Sequence, residues 1–285
     1  MVKIGAVVLN YNCSHETERC ISFLKHQIKI KLEIIVVDNN SLSDDLEKVR
    51  NICKSEDILL LVNEENKGYA AGNNVGLKYA DLLGCDFVLI INPDVELRDG
   101  EYLSKAVLKM KEDATIAALG SDIVNAVGQH QNPMRELKCI EELLWPLELL
   151  INKLRGKLPY TLDHTQSRYC HKLSGCCILI RLDFLKEIGF LDENTFLYCE
   201  EPIFAKQVQN SGRKMFYSAE ITAWHMHFSA AKGDPLKRLN LFYQSRRYYL
   251  NKYSGYLGLK LRVVLFSRKI QNKFYNIRYR RSIHL

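Results

Sequence analysis

The sequence predicts an α/β protein with a mostly parallel central sheet flanked by helices, and three observations carry that prediction. Strand-like apolar runs alternate with helix-period segments through the first half of the chain, the pattern of parallel strands joined by crossover helices. One run, FVLII at 87–91, is apolar at every position and stops at Asn92-Pro93-Asp94, as a strand buried on both faces does. Polar clusters close three successive strands, at Asp38-Asn39-Asn40, at Asn63 to Asn74 and at Asn92 to Asp94. Open α/β sheets bind ligands at that edge, so the clusters describe a nucleotide site in a Rossmann-like half.

In chain order, KIGAVVLN (Lys3 to Asn10) reads as the first strand, and SHETERCISFLKHQ has helical spacing at Cys20, Phe23 and Leu24. EIIVVDNN is the second strand, followed by a helix opening near Ser43-Asp44-Asp45, residues suited to an N-cap and to the positive end of the helix dipole. DILLLVN is the third strand, and AAGNNVGLKYADLLG the third helix with Gly84 as its stop. CDFVLIINPD is the fourth strand, with a helix from Asp99 to Lys111. Residues 127–170 hold Pro133, Pro146 and Pro159 and no clean periodicity. They read as a long, partly helical excursion, IEELLWPLELLINKL, over the sheet. SGCCILIRLDFL returns as a strand, GFLDENTFLYCEEPIFAKQVQNSG as a turn and helix, and KMFYSAEITAWHMH as a late strand pair. From Pro235 onward the chain is a basic, aromatic, helical appendage.

The bulk properties suit one large domain with such an appendage: 285 residues, 47% hydrophobic and 26% charged. No apolar run reaches bilayer length. The segment MVKIGAVVLNYN lacks a small-residue cleavage site and reads as a core strand rather than a secretory signal. The nine cysteines are odd in number, form no C-x-x-C pair and in part lie within apolar runs; reduced, packed thiols in the cytoplasm are expected, and a structural zinc site is not. The net charge of +7 conceals an asymmetry. Asp234 is the last acidic residue, and thirteen Lys and Arg follow it, leaving 27 basic against 33 acidic residues in the body.

Each polar cluster admits a functional and a bland reading. The Asp38 carboxylate can accept the N3–H of a uracil or thymine ring, or start an Asx-turn. The Asn66-to-Asn74 stretch combines glycines with a helix N-terminus, a combination that favours anions. It matches neither a G-x-G-x-x-G pattern nor a P-loop, and a plain helix start explains it too. Pro93 fixes the strand end, since proline is costly inside a buried strand, and Asp94 then suits a Mg²⁺ or Mn²⁺ ion shared with substrate phosphates, or a solvated turn. Glu200 and Glu201 open a helix, where the dipole favours them; one of them can also serve as a general base, and crowding by a like charge tends to raise one of the two pKa values. His225 and His227 alternate on a strand and share one face, as ligands or as ordinary strand residues.

In order and separation these clusters resemble family 2 glycosyltransferases of the GT-A fold, and most of all the bacterial rhamnosyltransferase-like branch that builds surface polysaccharides. The resemblance covers roughly residues 3 to 250 and rests on VVLNYN, IIVVDNNSLSDD, NKGYAAGNNVGL, LIINPDVEL in place of an Asp-x-Asp motif, the 174–212 segment, AWHMHFSA and LFYQSRRYYLNKY. It implies an inverting transfer from a nucleotide diphosphate sugar, dTDP-rhamnose or a UDP-hexose, to a hydroxyl of a glycan or lipid-linked glycan. Donor contacts are then expected from Asn10, Tyr11, Asp38, Asn40, Asn66, Gly68, Asn73, Asn92 and Asp94, with Asp38 on the base. Asp94 and His225 would hold Mg²⁺ or Mn²⁺, with His227 as the alternative metal or diphosphate contact. The family's Glu-Asp pair maps onto Glu200-Glu201, so Glu201 is the expected base. Two departures stand out: Glu replaces Asp at 201, lengthening the base by one methylene, and Pro202 follows directly. The expected organisation is a GT-A catalytic domain over 1–235, divided into a nucleotide-sugar half (1–125) and an acceptor half (126–235), plus a tail over 236–285.

In the tail, Leu259, Val263, Phe266, Ile270, Phe274 and Ile277 recur at steps of three and four among Lys and Arg. A basic amphipathic helix of this kind suits an anionic membrane surface; the bland reading packs it on the catalytic domain with a solvated charged face. Peripheral attachment to the inner face of the cell membrane follows from the first reading. A catalytically silent nucleotide-sugar-binding partner subunit is the alternative function. Nucleic-acid binding by the Tyr-rich tail lacks any recognisable motif and meets an acidic body. A sugar nucleotidyltransferase needs a Gly-rich, basic first loop, which VLNYNCSHE does not supply.

Overall fold

The computed structural model describes residues 1–146, 161–226 and 234–283, and the side chains up to 279. The first half runs β1 (Lys3–Asn10), α1 (Ser14–Lys25), β2 (Lys31–Asp38), α2 (Ser43–Ser55), β3 (Leu59–Val62), α3 (Tyr69–Leu82) and β4 (Phe87–Ile91). These four strands pair in parallel in the order β3-β2-β1-β4, with Asn10 opposite Asp38 and Asp38 opposite Val62. The register puts every polar cluster read from the sequence at one sheet edge, and β1, flanked by β2 and β4, marks the topological switch point.

Both faces of the sheet are covered, which explains the uninterrupted FVLII run. Ile4, Ala6, Val8, Phe87, Leu89 and Ile91 pack on one side with α1 and α2 residues such as Leu24 and Val49. Val7, Ile35, Val37, Val88 and Ile90 pack on the other with Leu77 and Ala80 of α3. Helix α3 lies close because Gly76 has no side chain; a Cβ there would stand 2.5 Å from Val7 Cγ1.

The second half is β5 (Val95–Glu96), α4 (Tyr102–Glu112), β6 (Ile116–Asn125), α5 (Cys139–Leu143), β7 (Arg168–Cys170), β8 (Cys177–Arg181), α6 (Leu182–Glu187), α7 (Glu200–Asn210) and β9 (Lys214–His225). The sheet continues from β4 as β8-β6-β9-β5, with β7 on β9. Its β4–β8, β8–β6, β9–β5 and β9–β7 pairs are antiparallel, while β6–β9 is parallel.

Several expectations change here. Strand β6 is not evident in the sequence because Gly120-Ser121-Asp122 interrupt its apolar run; it pairs with β8 and β9. The late strand pair is one twelve-residue strand, whose break is a register shift from Ser121↔Ser218 to Asp122↔Thr222. LDFL belongs to a helix rather than to β8. At α2 the N-cap is Leu42 without a side-chain bond, and Asp45 instead accepts from Ser14 N (2.9 Å) at the start of α1. Of the helical excursion, Cys139–Leu143 is helix, and 147–154 lies outside the described residues.

The appendage forms α8 (Pro235–Lys252) and α9 (Gly258–Ile283). Asp234 caps α8 through Leu236 N at 2.8 Å, with Pro235 in the first turn. Both helices dock on the α/β body. Arg246 and Arg268 pair with Glu142 of α5, which is wholly buried, and Tyr248 and Lys252 reach Asp192 at 2.7 and 2.9 Å. The apolar residues of α9 picked out in the sequence are not the docked face: Leu259, Val263, Phe266, Ile270, Phe274 and Ile277 are 43% to 76% exposed. No helix among the described residues is long and apolar enough to cross a membrane.

Candidate active site

At the switch point the asparagines and aspartates tie the loops together. Asn10 Nδ2 donates to Asp38 Oδ1 (2.8 Å) and Asp45 Oδ2 (2.9 Å), and Asn10 Oδ1 accepts from Thr17 (2.8 Å). Ser41 N, three residues on, donates to Asp38 Oδ2 at 3.0 Å. Asn10 and Asp38 are fully buried. The Asp38 carboxylate thereby ties β1 to the loop after β2. Tyr11 and Asn40 stand exposed on the rim, Asn40 at φ 64°.

The 66–74 stretch behaves similarly. Asn66 Oδ1 accepts from Gly68 N (2.9 Å) and Asn39 Nδ2 (3.0 Å). Gly68 packs closely against the Phe196 backbone. Its φ is +102°, and a Cβ would lie 2.2 Å from the Phe196 carbonyl oxygen, which accepts from Tyr69 N at 2.9 Å. Gly68→Ala is therefore expected to destabilise the fold by about 1–3 kcal/mol through overpacking and backbone strain, read as a Tm lower by several degrees. Asn73 is buried, donates to Tyr69 O (2.9 Å) and keeps Oδ1 without a partner.

Asp94 meets His225 because of a two-residue strand. After Pro93 the chain leaves β4 and pairs as β5 with β9, setting Val95 opposite His225, and Met226 N donates to the Asp94 carbonyl at 2.8 Å. Asp94 Oδ2 and His225 Nε2 then stand 3.2 Å apart, and Gln131 Oε1 holds His225 Nδ1 at 2.8 Å. Burial opposes charge on the imidazole, but hydrogen bonds to Asp94 and Cys176 outweigh it and push its pKa up to about 10. His227 lies outside the described residues. Among the described residues no group of three or more His, Cys, Asp or Glu is placed to hold a metal alone. A carboxylate and an imidazole side by side fit an ion that takes its remaining ligands from water and a diphosphate, the habit of Mg²⁺ and Mn²⁺.

The carboxylate pair opens α7 after two left-handed residues, Tyr198 and Cys199, with Pro202 in the first turn where it is tolerated. A cavity of about 790 Å³ takes in Glu200, Glu201, His225, Asn92, Tyr69 and Lys172. A Cβ on Gly175 would lie 3.9 Å from Glu201 Oε1 and 4.0 Å from the Tyr69 hydroxyl. That hydroxyl sits 3.0 Å from Asn92 Oδ1 and 2.9 Å from the Gly175 carbonyl. Tyr69 thus links the Asn92-Pro93-Asp94 turn to the loop beneath Glu201. Neither it nor Gln131 was singled out from the sequence, and only Tyr69's place beside Gly68 gave a signal.

Glu200 is partly buried, with Oε1 buried and unpartnered. Burial first, and Glu201 second, raise its pKa from 4.5 to about 7. A folded-state pKa above the unfolded one gives stability that is present below about 4.5 and lost as pH rises through 7. Glu200→Gln is expected to stabilise the protein by about 3 kcal/mol at about pH 8 and to change little at about pH 4. Urea unfolding at the two pH values checks this.

The sequence signature of Glycosyl transferase family 2 matches residues 6–189. A "Low-salt glycan biosynthesis hexosyltransferase Agl10" of Haloferax volcanii is 27% identical over 78% of this chain and 66% of its own length. An "N-acetylglucosaminyl-diphospho-decaprenol L-rhamnosyltransferase" of Mycobacterium tuberculosis is 22% identical over 92% of this chain and 89% of its own. Among solved structures, the mannosyltransferase PcManGT of Pyrobaculum calidifontis, in complex with GDP-Man and Mn²⁺, superposes with a TM-score of 0.60 at 17% identity, covering 93% of this chain and 68% of that one. TarS of S. aureus gives 0.58 at 16%, covering 95% and 72%. At these identities the structural likeness establishes the fold, which is GT-A-like.

Proposed function

Because this chain belongs to glycosyl transferase family 2, we propose that it moves a sugar, with inversion, from dTDP-rhamnose or a UDP-hexose to a hydroxyl of a growing lipid-linked glycan. The observation that carries this reading is one cavity lined by His225, Glu200, Glu201, Tyr69 and Asn92, with Asp94 Oδ2 standing 3.2 Å from His225 Nε2. The relatives' names support nucleotide sugars and a diphospho-decaprenol acceptor, and GDP-Man with Mn²⁺ occupies a protein of the same fold.

In this reading the donor lies across the switch point, its diphosphate toward Asp94 and His225 and its sugar toward the cavity. A bound Mg²⁺ or Mn²⁺ would neutralise charge on the departing diphosphate. Gln131 fixes the His225 ring, and Tyr69 fixes Asn92 beside it. Glu201 takes the proton of the acceptor hydroxyl as its oxygen bonds to the anomeric carbon. The bond from that carbon to the diphosphate oxygen breaks on the opposite face, so the configuration inverts. Glu200, its pKa raised to about 7 by burial and by Glu201, is about half protonated near pH 7, which limits repulsion between the two carboxylates. Nine free cysteines suit a reducing compartment, and we place the enzyme on the cytoplasmic side, peripheral to the cell membrane.

A thermal-shift screen tests the donor class. Tm is expected to rise with a dTDP- or UDP-sugar plus Mn²⁺, and no shift with any nucleotide sugar would refute the reading. The competing assignment as a silent binding subunit draws on the longer side chain at 201; transfer or donor hydrolysis above background excludes it.

A further inference from the structure

Helix α9 carries two unlike faces. Val264 is buried, Arg268 pairs with Glu142, and Gln271, Asn272 and Tyr275 line the active-site cavity. At 100° per residue, Leu259, Val263, Phe266, Ile270, Phe274 and Ile277 fall within an arc of about 80° roughly opposite those residues, with Phe274 at the edge of the arc and its ring 5.6 Å from that of Trp145. All six are exposed. A contiguous apolar stripe about 27 Å long (eighteen residue steps at 1.5 Å each) marks a contact surface rather than ordinary scatter. Arg262, Lys269 and Lys273 border it, and none has an acidic partner among the described residues.

We propose that this stripe seats α9 flat on an anionic lipid bilayer. Charge decides the occupant. A second copy would bring together two tails that each carry thirteen Lys and Arg and no acid after Asp234, whereas anionic headgroups neutralise them while the Phe, Ile and Leu side chains enter the acyl boundary. Docked this way, α9 separates the cavity from the headgroups by one helix diameter, about 10 Å, within reach of a lipid-linked diphosphate sugar. That last step rests on the proposed acceptor; the docking does not.

The full chain is sedimented with phosphatidylcholine vesicles containing or lacking about 30% phosphatidylglycerol, without donor or acceptor present. Binding to the anionic vesicles alone is expected, weakening as salt rises from about 0.05 to about 0.5 M. The exposed pair Phe266→Glu/Ile270→Glu is expected to lower partitioning at least tenfold with unchanged Tm, and Phe266→Ser/Ile270→Ser to lower it less. Equal binding to neutral vesicles, or wild-type binding by both variants, overturns the proposal. So does a concentration-dependent dimer that the Glu pair dissolves. Donor-induced thermal shifts are measured on the same samples, so failure of docking and failure of the glycosyltransferase reading are separate results.

Discussion

Glu201→Gln is expected to lower sugar transfer by about 100- to 10,000-fold, the usual contribution of a general base, while donor affinity and Tm stay near wild type. Gln keeps the shape and removes the ability to take a proton. The position is open to this chemistry because Gly175 leaves space between Glu201 and Tyr69. A base one methylene longer than Asp needs such room, since a displacement of about 1 Å costs about 100-fold in rate. Glu200→Gln serves as the control. Its target is partly buried with an unpartnered oxygen, so the reading predicts that substantial turnover survives there. A Glu201→Gln enzyme that keeps most of its kcat, beside a dead Glu200→Gln enzyme, would exchange the two roles.

Asp94→Ala is expected to reduce turnover about 1,000-fold, which corresponds to losing about 4 kcal/mol of charge stabilisation on the leaving diphosphate. It should also abolish the response of donor binding to Mn²⁺, which Glu201→Gln keeps. The variant removes the carboxylate that faces His225 Nε2 at 3.2 Å, while β5 stays in place through backbone bonds of Val95 and Met226. A folded Asp94→Ala protein with wild-type Mn²⁺ dependence would move the cation elsewhere.

Much of this site was legible because a strand buried on both faces announces its own end. Asn10, Asp38, Asn92 and Asp94 follow apolar runs, and parallel pairing of β2, β1 and β4 carries those ends to one edge. What the sequence conceals is which side chains the loops then consume. Asp38 is bonded to Asn10 and Ser41, and Gly68 is pressed against Phe196, contacts that no local pattern announces. Long-range pairing is hidden as well. The Val95–His225 register and the Gln131 contact join residues about 130 and about 90 positions apart, and no local pattern encodes them. In the tail, periodicity gave the apolar face of α9 but could not say whether that face turns inward; the pair of Arg268, on the opposite side of the helix, with Glu142 turns it outward.

Calorimetric titration of UDP and of dTDP into the wild-type protein, with and without Mn²⁺, bears most directly on a cation shared by Asp94, His225 and a diphosphate. Binding of one nucleotide that tightens at least tenfold with the metal, and loses this gain in Asp94→Ala, is the predicted result. Affinities unchanged by Mn²⁺ for both nucleotides would contradict it.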